Sequence, residues 1–314
     1  MKLAVFAYHD VGYECLRFLI EQSEEIVAVV THEDDPDEEI WFRSVSDLAR
    51  ARHLPVYTPG SPNTPEFVGL IRGSAPDLIL SFYYRRLLSK ELLSLPRLGG
   101  VNLHGSLLPR YRGRSPVNWV LVNGETETGV TLHYMVEQAD AGDIIAQRRV
   151  PIDIGDTALT LFHKVTAAGR ELFEETFPLL KAGAAPRIPQ DPRLATTFRG
   201  RRPEDGRVTW DEPATAIYNL VRAVTHPYPG AFTWINGHKL FIWQAAADSQ
   251  RTTVHCQSSL PGTVQAVVPG SGVLVSTGDG SLLVSRAQFE GEKEMAADEL
   301  AERQGIAVGA KLGE

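Results

Sequence analysis

The first half of the chain gathers its hydrophobic positions into short dense runs: LAVFAY (3–8), EIVAVVTH (25–32), DLILSFYY (77–84) and GVNLHG (100–105). Apolar runs this short read as strands buried on both faces. Between them, residues 12–22, 44–53 and 64–73 carry helical patterns. Strand alternating with helix predicts an α/β unit on a Rossmann-like, mostly parallel sheet. Two further strands, TGVTLHYM (128–135) and GDIIAQRRV (142–150), lie closer together. Residues 157–182 predict a long amphipathic helix, with Leu159, Phe162, Val165, Leu172 and Phe173 near helical spacing.

The pattern changes at Gly183. From there to Arg207, Pro186, Pro189, Pro192 and Pro203 interrupt a stretch without hydrophobic periodicity, which reads as a linker. A helix follows over 212–224. Then FTWI, KLFIWQ, GTVQAVV, GVLVSTG and SLLVSRA come in succession, punctuated by glycine, with a last helix near 296–304. This spacing predicts a small β-rich, OB-like barrel. The expected organisation is one domain over 1–203 and a second over 204–314.

Composition narrows the class. The 314 residues are 43% hydrophobic and 22% charged, ordinary for a soluble globular chain. The opening apolar run ends at His9 and Asp10, too short for a signal-peptide core, and no other run reaches membrane length. A cytoplasmic protein without a membrane partner is expected. The formal charge of −8 disfavours a general nucleic-acid binder. Cys15 and Cys256 lie far apart and match no metal or redox motif, so two reduced thiols and no metal are expected. The first strand–helix turn, AYHDVGYE, holds only Gly12. A dinucleotide fingerprint needs several glycines there for the backbone to approach a pyrophosphate, so no NAD is expected.

Chemistry concentrates in NLHGSLLPRYRG (102–113). Alternation puts Asn102 and His104 on one face of a strand, near the end where open α/β sheets hold ligands. Asn offers an amide donor, and His a group that exchanges a proton near neutral pH. Together they suit attack on a carbonyl that builds an oxyanion; the bland alternative is a structural pair at a strand end. EQADAGDI (137–144) adds Asp140, followed by Ala-Gly, a composition that lets backbone approach a ligand. A carboxylate beside His104 would favour imidazolium and fix the ring; the alternative is a turn-capping Asx residue.

The stretches NLHGSLLPRYRGRSP (102–116), GETETGVT (124–131), ADAGDI (139–144) and RAVTHPYPGA (222–231) resemble the 10-formyltetrahydrofolate-dependent formyltransferases over nearly the whole chain. That family includes enzymes acting on methionyl-tRNA and on amino sugars. FAYHD (6–10), SFYYR (81–85) and NWVLVNGETETGVTLH (118–133) most resemble its polymyxin-resistance branch, which formylates UDP-4-amino-4-deoxy-L-arabinose. The resemblance implies 10-formyltetrahydrofolate as co-substrate, with Asn102, His104 and Asp140 catalytic. It implies folate contacts at Arg86, Leu87, Leu88, Arg114, Val136, Glu137, Gln138, Ala139 and Asp140, and a Leu108-Pro109 step shaping the turn beneath the folate.

The two acceptor classes, initiator tRNA and a nucleotide-linked amino sugar, make different electrostatic demands. A tRNA enzyme must neutralise phosphates with Lys and Arg. Here the segment after the second strand reads THEDDPDEEIWF (31–42), where six of residues 33–39 are acidic and no Lys or Arg precedes Arg43. That surface would repel an acceptor stem. Arg199, Arg201, Arg202 and Arg207 keep the tRNA alternative alive, and a solvated linker is their bland reading. A folate-binding module without activity is a remoter alternative, opposed by the intact Asn102, His104 and Asp140. Charge thus favours a nucleotide-linked amino sugar over tRNA, and the resemblance implies a UDP-amino sugar as the acceptor. Up to Glu314 the sequence shows no second Rossmann domain carrying a dinucleotide fingerprint. The resemblance thus leaves oxidative decarboxylation of UDP-glucuronate to a separate chain or to another part of a longer one.

Overall fold

The computed structural model describes residues 1–36, 39–248 and 260–313. Cys256 and two members of the acidic run, Asp37 and Glu38, lie outside the described residues. The chain divides into two units. One comprises residues 1–116, 127–152 and 162–199, the other 117–126, 153–161 and 200–314.

The first unit holds strands β1 (Lys2–Ala7), β2 (Glu25–Val30), β3 (Val56–Tyr57), β4 (Leu78–Phe82), β5 (Gly100–His104), β6 (Arg112–Gly113), β7 (Glu127–Tyr134), β8 (Ile144–Pro151) and β9 (Thr197–Phe198). Seven of them form one sheet in the order β3-β2-β1-β4-β5-β7-β8. The first five run parallel. β7 pairs antiparallel with β5 and β8 antiparallel with β7. The short connection between β7 and β8 explains the reversal, because a parallel crossover needs a dozen or more residues. β6 and β9 form a separate two-stranded pair.

Central strands are apolar because helices cover the sheet. Every residue of β4 is buried, as are Leu3 to Ala7 of β1. The helices of this unit are α1 (His9–Glu21), α2 (Val45–Ala51), α3 (Pro65–Ser74), α4 (Lys90–Leu93) and, from residue 162 on, α6 (Ala158–Lys181), while α5 (Pro116–Val122) falls almost wholly in the other unit. Ser44 and Thr64 cap α2 and α3 by accepting the Asp47 and Phe67 amides, and Pro65 opens α3 with its φ preset. Phe173 and Phe177 of α6 meet Phe18 of α1 edge-on, at centroid distances of 5.6 and 5.8 Å. Gly12 lets α1 lie against β1: a Cβ there would stand 3.0 Å from the Ala7 Cβ. The lone glycine of the first turn thus serves helix–strand packing.

Helix α1 starts three residues earlier than its hydrophobic pattern, at His9, whose φ is +65°. The His9 ring stacks on Phe42 at 3.9 Å and meets Trp41 and Phe162 edge-on at 4.5 Å. Burial, helped by the charges of Arg85 and His163, pushes its pKa from 6.5 down to about 3. The unfolded chain therefore binds the extra proton first. Stability from this burial is whole above the ordinary histidine value and is lost as the pH falls through that window. Thermal midpoints between about pH 7 and about pH 4 should fall more steeply for wild type than for His9→Phe; parallel slopes would contradict this.

The second unit carries α7 (Ala214–Val224), then β10 (Ala231–Ile235), β11 (His238–Asp248), β12 (Val264–Val268), β13 (Gly272–Ser276), β14 (Ser281–Phe289), β15 (Met295–Ala296) and α8 (Ala297–Gln304). Its sheet is antiparallel, in the order β10-β11-β14-β13-β12 with β15 on β14. The fold is thus a mostly parallel α/β sheet followed by a separate antiparallel β unit. No helix among the described residues is long and apolar enough to cross a membrane.

One expectation fails in part. The stretch 183–207, read as a linker, is not free chain over its first part. Ile188 exchanges backbone hydrogen bonds with Ile144, and β9 pairs with β6. Prolines remove helical periodicity, yet an extended segment can still lie along a neighbour and bond to it.

Candidate active site

Strand β5 ends at His104, at the carboxyl edge of the parallel strands, where such sheets hold ligands. The register of β5 on β7 sets Asn102 opposite His133 and His104 opposite Thr131. Opposed residues share a face, so four side chains gather there.

Below His104 the chain turns through GSLLP. Thr131 Oγ1 donates to Ser106 O (2.6 Å) and accepts from Leu108 N (3.1 Å). Gln147, opposite Thr131 on β8, donates to Leu108 O (2.8 Å) and to Thr131 Oγ1 (2.9 Å). The Leu108-Pro109 peptide is cis. Gly105 is needed here because the Tyr83 hydroxyl would stand 2.3 Å from a Cβ. The motif is therefore a strand end followed by a turn that cross-strand polar groups hold in place.

Both imidazoles are pinned through a backbone carbonyl. His104 Nε2 lies 2.8 Å from Tyr111 O, and His133 Nδ1 lies 2.9 Å from Tyr134 O. A carbonyl only accepts, so each of these nitrogens carries a hydrogen. His104 is left with Nδ1 as its exchanging nitrogen. His133 presents Nε2, which accepts from Asn102 Nδ2 at 3.1 Å. That bond orients the Asn102 amide.

Asp140 closes the cluster from the β7–β8 loop, with a left-handed φ of +52° that Asp tolerates better than most residues. Its Oδ1 lies 3.6 Å from His104 Nδ1 and 3.5 Å from His133 Nε2, and Oδ2 accepts the Gly113 amide at 2.8 Å. Burial pushes this carboxyl up. The charge of His104, the His133 ring when it is protonated, and the Gly113 N–H outweigh it and hold the carboxyl well below the usual carboxylate range. At neutral pH Asp140 is therefore an anion.

The three residues expected to be catalytic thus converge. The expected folate contacts are more scattered in role. Leu88 turns its side chain into the core beside Ile79 and Leu92, leaving only its backbone for a ligand. Arg86 gives its guanidinium to the carbonyls of Pro59 and Gly60. Arg114 ties its own loop to this one, Nη2 donating to Arg85 O at 3.0 Å. Leu87 is 64% exposed, and Asn63 braces its turn by donating to Leu87 O and accepting the Ser89 amide. Val136, Glu137 and Gln138 are exposed and Ala139 half-buried. Val136 lines a depression of about 200 Å³ with Tyr134, Gly142 and Arg187, whose guanidinium lies over the Tyr134 ring.

His133 escaped the sequence reading. It sat in a stretch legible only as a strand, and its place opposite Asn102 depends on register. Gln190 escaped as well, inside the presumed linker; its amide nitrogen donates to Asp140 O (2.8 Å) and Gly142 O (2.7 Å).

An imidazole with one free ring nitrogen, a fixed carboxylate and an oriented amide at the edge of an α/β sheet are groups suited to attack on a carbonyl. Residues 1–177 match the family described as formyl transferase, and residues 201–305 match the formyl transferase C-terminal domain. The chain belongs to the formyl transferase family. Its fold is similar to an N-formyltransferase from Helicobacter canadensis solved with folinic acid and dTDP-3-aminofucose: TM-score 0.68 and 20% identity over 90% of this chain and 98% of that one. WlaRD, a sugar 3N-formyl transferase solved with dTDP and 5-N-formyl-THF, gives TM-score 0.68 and 19% identity over 93% and 99%. A methionyl-tRNA formyltransferase from Clostridium thermocellum gives 0.56 and 20% over 78% and 93%.

Proposed function

We propose that this enzyme transfers the formyl group of 10-formyltetrahydrofolate to the 4″-amine of a UDP-linked amino sugar, UDP-4-amino-4-deoxy-L-arabinose in particular. The observation that carries the reading is the convergence of Asn102, His104, His133 and Asp140 within a formyl transferase fold. The folate donor is supported by the folate derivatives bound to the structural neighbours. Leu87 and Val136 put exposed apolar surface on the two loops expected to meet it, and exposed backbone there suits the amide-like edge of a pterin.

A nucleotide-linked sugar is supported by the ligands of the same neighbours and by the acidic run after β2. Two of the arginines that would serve a tRNA are engaged within their own unit. Arg201 lies 4.7 Å from the Trp119 ring and donates to Asp205 O, and Arg207 lies over Trp234. The particular sugar rests on the resemblance of NWVLVNGETETGVTLH to the formyltransferase domain of the polymyxin-resistance protein ArnA. On that reading the enzyme is cytoplasmic, serves lipid A modification, and draws its substrate from a separate UDP-glucuronate decarboxylase activity. Residues 1–203 form the catalytic domain and 204–314 the C-terminal one.

The residues divide the work by atom. The neutral amine attacks the formyl carbon, and the carbonyl oxygen gains charge. Asn102 has one N–H engaged with His133 and offers the second to that oxygen. One such donor is worth about 3–4 kcal/mol. His104, fixed through Nε2, uses Nδ1 to stabilise the charge and to pass the amine's proton toward the departing folate nitrogen. Asp140 stays ionised and steadies the charged ring. Holding both substrates in attack geometry supplies up to roughly 7–11 kcal/mol more.

The test is a panel of UDP- and dTDP-linked amino sugars and methionyl-tRNA, each incubated with 10-formyltetrahydrofolate and read by mass spectrometry. Formylated UDP-4-amino-4-deoxy-L-arabinose as the best product is expected. Formylation of methionyl-tRNA alone would overturn the acceptor, and no product from any of them would overturn the activity.

A further inference from the structure

The carboxylate of Asp140 is aimed by a device that sequence reading placed in a linker. Buried Arg112 sends Nε and Nη2 to the Gln190 side-chain oxygen, at 3.1 and 2.6 Å. A guanidinium only donates, so the Gln190 oxygen must face it. The amide nitrogen then faces away and meets two groups that only accept, Asp140 O at 2.8 Å and Gly142 O at 2.7 Å. The amide orientation is forced from both ends. Meanwhile Gly113, next to Arg112, gives its N–H to Asp140 Oδ2 at 2.8 Å. The ladder between these segments continues, with Arg112 N donating to Thr196 O, Arg114 N to Phe198 O, and Tyr111 N to Thr196 Oγ1. Tyr111 O in turn holds His104 Nε2. One strap, residues 190–198, therefore supports the backbone behind both Asp140 and His104.

We infer that Arg112 and Gln190 form a clamp that positions the Asp140 carboxylate against His104 and His133. Gln190 is a positioning residue acting through Asp140, and the inference rests on the catalytic role proposed for Asp140. An acceptor toward a guanidinium and two donors toward carbonyls, at this reach, is a pattern that glutamine meets. Glutamate has the same shape and would pair with Arg112, yet it would set an oxygen against two carbonyl oxygens.

The experiment is a double-mutant cycle on the full chain, comparing Gln190→Glu, Asp140→Ala and the pair. Formyl transfer to the acceptor found in the panel is measured by radiolabel, with folding checked by circular dichroism. In the wild-type background Gln190→Glu should lower kcat by about ten- to a hundredfold, the cost of a small misplacement, with KM for both substrates within about twofold. In the Asp140→Ala background it should cost less than about twofold. Equal losses in both backgrounds, or an unchanged kcat, would overturn the clamp. If Gln190→Glu fails to fold, the isosteric Gln190→Met takes its place; failure of both would show that Gln190 holds the fold, and the inference falls. Wild-type turnover in Asp140→Ala alone would instead remove the catalytic role of Asp140 itself, a separate and visible result.

Discussion

Replacing His104 or Asp140 by alanine is expected to leave a folded enzyme that transfers formyl groups at least about a hundredfold more slowly, the loss typical of a positioned acid–base group. The geometry explains why the two should fall together. His104 is held through Nε2 on Tyr111 O, which leaves Nδ1 for exchange, and Asp140 Oδ1 stands 3.6 Å from that nitrogen. Without Asp140, the charged ring loses its buried counter-ion. Without His104, the carboxylate has lost the proton-exchanging ring it steadies. The double variant should therefore be little slower than either single one, since residues acting as a unit are not additive. Steady-state kinetics on the three variants checks this. Near-wild-type turnover in either single variant would remove the catalytic assignment.

The second large effect is expected at Asn102. Aspartate nearly preserves its size but accepts only, when ionised. At this position it would lose the bond to His133 Nε2, now 3.1 Å from Asn102 Nδ2, and place a charge beside Asp140. It would also oppose the negative charge that grows on the formyl oxygen. Asn102→Asp should thus lose more than Asn102→Ala, where water can partly replace the amide. The loss should fall on kcat, because the oxyanion exists only in the transition state and the intermediate. One competing effect is readable: the new carboxylate can pair with a protonated His104 or His133, which would soften the loss at low pH. A pH series on wild type and both variants separates the two. Wild-type kcat for Asn102→Asp at neutral pH would show that Asn102 is not an oxyanion donor.

How far the site was legible follows from what each residue depends on. Asn102 and His104 could be paired because strand alternation is local. Asp140 could be suspected because Ala-Gly marks a loop that approaches a ligand. His133 could not, since its place opposite Asn102 depends on a register between strands that no local pattern reveals. Gln190 could not, because its segment lies extended among prolines and shows no periodicity. The long strands and helices were readable from their apolar runs. Two-residue β3 and four-residue α4 were not, being shorter than any periodicity can register. The start of α1 moved to His9 because ring packing on Trp41, Phe42 and Phe162 settles it.

The central claim is that this cluster moves a formyl group from a folate to an amino sugar. It is tested most directly by following a carbon-13 formyl label by NMR, from 10-formyltetrahydrofolate, in the presence of UDP-4-amino-4-deoxy-L-arabinose. With wild type the label should appear as a formamide on the sugar, and with His104→Ala it should stay on the folate over the same time. Label appearing only as free formate, or formamide forming equally fast with His104→Ala, would contradict the account.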